Sequence, residues 1–388
     1  MKILLITWQQ GENNPFDYFN SQLKKQFELI GCIVSMIDLD DNFISNLNSH
    51  SKADVAITWQ GLGSNINTDE GVNLWEKMKT QLVCLHGDHP CHMPFNHEVD
   101  NAYVHHIYAA PSFARYANTY FNKSHPAIYY LFPNIFAPRN TKIERTGNFF
   151  VFPKNLDPIT EIFNTWKINL RPKTSQFLIE AADIIISDYE LNLFKDHHST
   201  IDELITREKF DQLLIENDVT NEASLFHELH SLLDKVYRNY ASEQVINLLQ
   251  NYPVKIYGRG WDSFKERNNS KHEYFEFDSV ANGDFQFDSN YGIIDIAPSI
   301  DSLHDRLFRA ISRGGAFISN SLLSHTSLID KEFDNLFYRI DNNNLQETAE
   351  KIMTSPKEHL DACETFSISY NQKNSFYNFY LYLVSLTR

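Results

Sequence analysis

The chain has 388 residues, enough for two domains of common size, and its 42% hydrophobic and 22% charged residues are ordinary globular composition, which excludes a disordered or low-complexity protein. A formal net charge of −16 opposes a polyphosphate backbone, and no Lys/Arg stripe interleaved with aromatics interrupts it, so nucleic acid is not an expected partner. The apolar start runs at residue 7 into Thr7, Trp8 and Gln9, too short for a signal-peptide core or a membrane span. Four cysteines in so long a chain read as reduced thiols, so a cytoplasmic protein is expected, with membrane-proximal work left open.

Residues 2–7 form a short apolar run ending in polar residues, as a buried first parallel strand does, and 16–29 follow as a helix. Strands are predicted at 33–37, 54–58 and 81–85, with a helix at 71–78, so that apolar strands alternate with helices in a doubly wound α/β half. Strand-like pieces at 104–109 and 127–131 extend it, and Pro133 and Pro138 punctuate the chain before a strand at 148–152, placing a domain boundary near 138–150.

From 156 to 250 the character changes to helical. Thr200 followed by Glu203 reads as a capping box, and Leu225, Leu229, Leu232, Val236 and Tyr240 recur at helical spacing. Beyond it, strands are predicted at 254–257, 293–296 and 317–319, with a helix at 304–312 stopped by Gly314 and Gly315. Helices at 344–353 and 370–386 close a second α/β half.

Two segments of that half can carry chemistry. In Tyr257-Gly258-Arg259-Gly260-Trp261 the glycines directly follow a strand, where they either turn the chain or let the backbone and its N–H groups approach a phosphate. From Ile296 to Gly315 a strand leads through a polar loop containing Ser299 into a helix with His304, Asp305 and Arg306 in its first turn, where free N–H groups and the dipole favour an anion. Arg306 can add charge-assisted hydrogen bonds, while Asp305 can cap the helix or hold Arg306 or a sugar hydroxyl.

The stretch 254–320, with its Tyr-Gly-x-Gly-Trp, Pro298, His304-Asp305-Arg306-x-Phe308 and Gly314-Gly315, resembles the C-terminal domain of the spore-maturation-protein-like (CgeB-type) glycosyltransferases. The resemblance implies an α/β GT-B fold of two Rossmann-like doubly wound domains facing a cleft. Residues 1–145 would then be the acceptor domain, and 146–370, including the helical segment 156–250, the nucleotide-sugar domain. Residues 371–388 would form a helix packing back on the first domain. It also implies a UDP-sugar or similar donor, no cofactor and no metal, and donor contacts from Tyr257, Gly258, Arg259, Gly260, Ser299, His304, Asp305, Arg306, Gly314 and Gly315. One departure is Arg309, which stands about where many retaining relatives keep an acidic residue. On this reading, removing Arg306 costs turnover more than folding.

A third segment, 84–92, carries Cys84, His86, Asp88, His89, Cys91 and His92 at the end of a predicted strand. His86, Asp88 and His89 are candidates for the base that deprotonates an acceptor hydroxyl of a glycan, a lipid-linked glycan or a protein. Structural histidines, or a zinc hydrolase built on Cys84 to His92, are the competing readings, although the spacings match no usual closed zinc site. A catalytically inactive sugar-nucleotide-binding protein is the remaining alternative.

Overall fold

A computed structural model describes residues 1–8, 15–49, 53–121, 125–130, 148–191, 196–218, 221–268, 271–276, 291–297, 299–301, 305–312, 314–320, 333, 336–340, 344–373 and 375–387. The chain divides into two compact units, one built on Met1–Asn140 and Thr365–Arg388, the other on Thr141–Phe277 and Phe287–Glu364.

In the first unit the chain alternates β1 (Lys2–Thr7), α1 (Pro15–Leu29), β2 (Ile33–Asp38), α2 (Phe43–Ser49), β3 (Val55–Trp59), α3 (Leu74–Met78) and β4 (Gln81–His86). A 3-10 turn at Pro90–His92 and α4 (Pro94–His97) precede β5 (Val104–Tyr108), α5 (Pro111–Tyr120) and β6 (Ile128–Tyr129). The strands form a six-stranded sheet in the order β2-β1-β3-β4-β5-β6, and each described pairing is parallel. Parallel strands covered by helices on both faces must be apolar throughout, which is why Ile3 to Ile6 and Val55 to Ile57 are all buried.

The second unit holds β7 (Phe150–Pro153), then α6 (Ile159–Asn169), α7 (Pro172–Leu191), α8 (His197–Leu204), α9 (Arg207–Asn217) and α10 (Glu222–Leu248). After these come β8 (Val254–Tyr257), α11 (Asp262–Arg267), β9 (Glu273–Phe275), β10 (Gly292–Asp295), α12 (Asp305–Ser312), β11 (Ala316–Ser319), β12 (Phe337–Arg339) and α13 (Leu345–Thr354). Its sheet is also six-stranded, in the order β12-β11-β10-β7-β8-β9. The first strand of the unit therefore lies between its second and its fourth, and strand order reverses between β7 and β10. In open parallel sheets such a reversal sends the two crossover connections to opposite faces and leaves a crevice at the carboxyl ends of those strands, where ligands bind.

The helical segment packs on this sheet as one core: Leu225, Leu229, Leu233, Val236 and Val245 of α10 are buried with Phe150 and Phe152 of β7 and Ile256 of β8. Each such side chain contributes roughly 1.5–3 kcal/mol by leaving water. The capping box expected at Thr200 does not form. Asp196 caps α8, accepting a hydrogen bond from the His198 amide, and Thr200 lies buried inside the helix with its hydroxyl donating to Asp188.

α14 (Pro356–Lys373) carries the chain back to the first unit, where α15 (Phe376–Leu386) follows. The single helix expected at 370–386 is thus two, because Ser375 caps the second by accepting the Asn378 amide. Within the first unit the Phe376 ring sits 4.6 Å from that of buried Phe27, and Phe379 and Tyr382 lie against Tyr130. No described helix is long and apolar enough to cross a membrane.

Candidate active site at the carboxyl edge of the second sheet

β7 ends at Pro153 and β10 at Asp295, so the residues just beyond them stand at the point of strand-order reversal. The Asp295 side chain is completely buried and forms an ion pair with Nη1 of Arg306, from the first turn of α12. Burying a lone carboxylate is costly, so Arg306 is fixed by the need to neutralise Asp295, with a side chain still 24% exposed.

Lys154, the first residue after β7, joins this group. Its ammonium is pushed down to about 7, first by burial and then by the Arg238 and Arg306 guanidiniums, against the opposite pull of Asp295 and Asp234. Arg238 of α10 is itself anchored to buried Asp234 at 2.7 Å, one helical turn earlier. Three cationic side chains therefore surround two buried carboxylates, and the positive excess falls on the lysine. An anion with several oxygens, such as a diphosphate, relieves that excess.

The first turn of α12 stands on the same edge. Across it, Asn320 beyond β11 is buried, and its side-chain oxygen accepts from the Ala297 amide at 2.8 Å, fixing the loop that leaves β10. Ser299 in that loop is wholly buried and donates to Asp301 at 2.7 Å. Asp305 holds Arg309 through a 2.8 Å ion pair within α12, so its carboxylate serves the helix. His304 and Pro298 lie outside the described residues.

Gly258 and Gly260 pack the loop after β8 against the loop after β7. A Cβ on Gly258 would stand 2.2 Å from the Lys154 carbonyl oxygen, and one on Gly260, at φ +84°, would stand 1.8 Å from that of Leu156. The Gly258 amide and neighbouring groups are engaged: Gly258 N–H donates to Phe275 O, Arg259 N–H to the Asn155 side chain, and Leu156 N–H to Arg259 O. The Trp261 indole donates to Lys154 O at 2.6 Å. Both glycines thus let the loop after β8 lie on the loop after β7, which sets where Lys154 stands, and Tyr257 is buried against Phe275 rather than open to a ligand.

Gly314 and Gly315 close the other end of α12. Gly314, at φ +73°, donates to Ile311 O and Gly315 to Ala310 O, a left-handed helix stop. They precede β11 and so stand at the amino edge of the sheet, opposite Arg306, where they cannot reach a ligand bound at the carboxyl edge.

In the first unit, His86, Asp88 and His89 follow β4 but differ in environment. His86 is fully buried, stacked on Tyr108 with ring centroids 4.7 Å apart and hydrogen-bonded to His106 at 2.9 Å. His89 is buried at 2% exposure, caps the turn Pro90–His92, and sits edge-on to Phe113 and Tyr116. Asp88 alone of the three is exposed, oriented by a 2.7 Å hydrogen bond from Gln60 at the end of β3.

No family model matches the sequence, and no curated protein matches it either. Solved structures do match over the whole chain. An alpha-glucosyltransferase in complex with UDP superposes with a TM-score of 0.55 at 10% identity, covering 100% of both chains. The same enzyme type with UDP-glucose and DNA containing an abasic site gives 0.52 at 10% identity, again over 100% of both chains. A DNA-modifying beta-glucosyltransferase gives 0.51 at 8% identity, covering 96% of this chain and 97% of the other. Such likeness defines the fold: the chain is a two-domain α/β protein of the GT-B type.

Gly260→Ala is expected to destabilise the protein by about 3 kcal/mol, because a side chain is forced into the left-handed region and into a backbone oxygen. Arg259→Ala, at an exposed neighbour, is expected to change stability by less than about 0.5 kcal/mol. Chemical denaturation of the two variants checks this; equal stabilities would remove the packing role assigned to the glycine.

Proposed function

We propose that the chain is a glycosyltransferase of the CgeB type that moves a hexose from a UDP-sugar to an acceptor hydroxyl, with no metal at the diphosphate. The observation that carries this is the cation cluster of Lys154, Arg238 and Arg306 at the strand-order reversal of the second sheet. The GT-B solved structures bound to UDP or UDP-glucose support the donor class.

In the transfer, the bond between the anomeric carbon and the diphosphate oxygen breaks and its electron pair stays on the diphosphate. Charge grows there as the reaction proceeds, so donors already aimed at it lower the barrier. Arg306 and Lys154 supply that stabilisation. The acceptor oxygen bonds to the anomeric carbon, and its proton passes to Asp88, with buried His86 and His89 holding the strand end that presents it.

The acceptor is a glycan, lipid-linked glycan or protein hydroxyl rather than DNA. A chain of net charge −16 meets a phosphate backbone with repulsion, which the cluster of the second unit is too local to offset. All four cysteines are buried thiols, which suits a cytoplasmic enzyme.

Arg306 is ion-paired to buried Asp295, so removing it alone perturbs folding as well as turnover and does not separate the two. The informative variant is the double Arg306→Gln, Asp295→Asn, which removes both charges together. It is expected to stay folded by circular dichroism and to lose about 10²–10³-fold in kcat on a UDP-sugar; unchanged turnover would refute the assignment.

Lys154 adds a pH dependence. Its ammonium is held near 7, so it is charged below that pH and neutral above it, and an anion is held more tightly by the charged form. The affinity for UDP-glucose, whose diphosphate has no ionisation in this range, is expected to fall by up to about tenfold from pH 6 to pH 8, on the scale of one charge-assisted hydrogen bond. Lys154→Arg should flatten the profile in calorimetric titrations, and an equally steep profile in that variant would exclude the lysine as its source.

A further inference from the structure

The first sheet carries a cluster that sugar transfer does not use. Parallel pairing of β4 with β5 sets Cys84 opposite His106, and since side chains alternate along a strand, Cys84 and His86 share one face. One ligand atom from each of Cys84, His86 and His106 lies within 4.8 Å of the other two, and all three residues are buried.

The details favour a metal over a bare hydrogen-bond network. His106 Nε2 lies 3.2 Å from the Val99 carbonyl, which can only accept, so that nitrogen carries the proton and Nδ1 presents its lone pair to His86. A histidine whose far N–H donates to a backbone carbonyl is the usual arrangement around a ligating imidazole, because it fixes the tautomer and the ring. The Tyr108 ring stacks on His86 with ring centroids 4.7 Å apart. Tyr108 is in turn bonded to His97 at 2.7 Å, and His97 lies 4.1 Å from His86 between ring centroids. Aromatic rings thus wall the ligand atoms off from water.

We infer that Cys84, His86 and His106 bind a zinc ion. One sulfur and two imidazole nitrogens are donors that zinc accepts at about 2.3 and 2.0–2.1 Å. Tetrahedral bonds of that length separate neighbouring nitrogens by roughly 3.3 Å, so the 2.9 Å His86–His106 pair has only to open slightly. On binding, the Cys84 S–H bond breaks and its proton leaves to solvent, the His86 proton shared with His106 moves from Nε2 to Nδ1, and zinc bonds to the sulfur and the two bared nitrogens with no change of oxidation state.

The ligand set differs from the contiguous segment 84–92 that a linear reading offers: sheet register brings in His106 from the next strand, and His89 and Cys91 have no part in it. The ion would tie β4 to β5 beneath the loop bearing Asp88 and leave the diphosphate chemistry of the other unit untouched. The inference stands independently of the proposed sugar transfer.

The test is elemental analysis of the full chain purified without chelator, together with cobalt substitution. Expected are about one zinc per chain and, with Co²⁺, the near-ultraviolet sulfur-to-metal charge-transfer band that a thiolate ligand produces. Cys84→Ser should abolish the band and His106→Gln should weaken it, while Cys363→Ser, at a buried thiol of the other unit, should leave it intact. The unsubstituted protein decides the matter even if a variant fails to fold. Neither zinc nor a cobalt–thiolate band in that protein overturns the site, as does a band that survives Cys84→Ser.

Discussion

The buried ion pair between Asp295 and Arg306 fixes the geometry on which the candidate active site depends. A carboxylate with no exposed surface at the end of β10 is tolerable only with a cation against it. The nearest chain able to supply one is the first turn of α12, which must therefore start at the carboxyl edge of the sheet. The helix start, the arginine and the strand-order reversal between β7 and β10 coincide because one electrostatic requirement holds them together.

Lys154 shows how backbone packing sets charge. Gly258 and Gly260 let the loop after β8 lie directly on residues 154–156, and the Trp261 indole clamps the Lys154 carbonyl. The ammonium is thereby kept among Arg238, Arg306, Asp234 and Asp295, and its pKa falls to about 7. A lysine so placed changes charge in the physiological range, which an exposed lysine does not. In the proposed site the two glycines act at one remove, through the lysine they position.

Much of the fold was legible because parallel strands buried on both faces must be apolar runs; 2–7, 33–37, 254–257 and 293–296 all correspond to strands. β9 and β12 escaped notice because edge strands bury little, and Glu273–Phe275 and Phe337–Arg339 carry no fully buried residue. Arg306 was legible as the cation of a helix's first turn, whereas Lys154, Asp295 and Arg238 were not. They come from β7, β10 and α10, and nothing local marks a lysine after a strand as different from a surface one. Glycine is an ambiguous signal. The same left-handed or crowded backbone serves a phosphate loop, a helix stop at Gly314 and a loop-on-loop contact at Gly260, and only the partner atoms separate them.

The most direct test is a crystal structure of the chain with UDP-glucose bound. Diphosphate oxygens within hydrogen-bonding distance of the Arg306 guanidinium and the Lys154 ammonium, at the carboxyl ends of β7 and β10, are the predicted result. A nucleotide seated elsewhere, with both side chains turned only to Asp295 and Asp234, would contradict it.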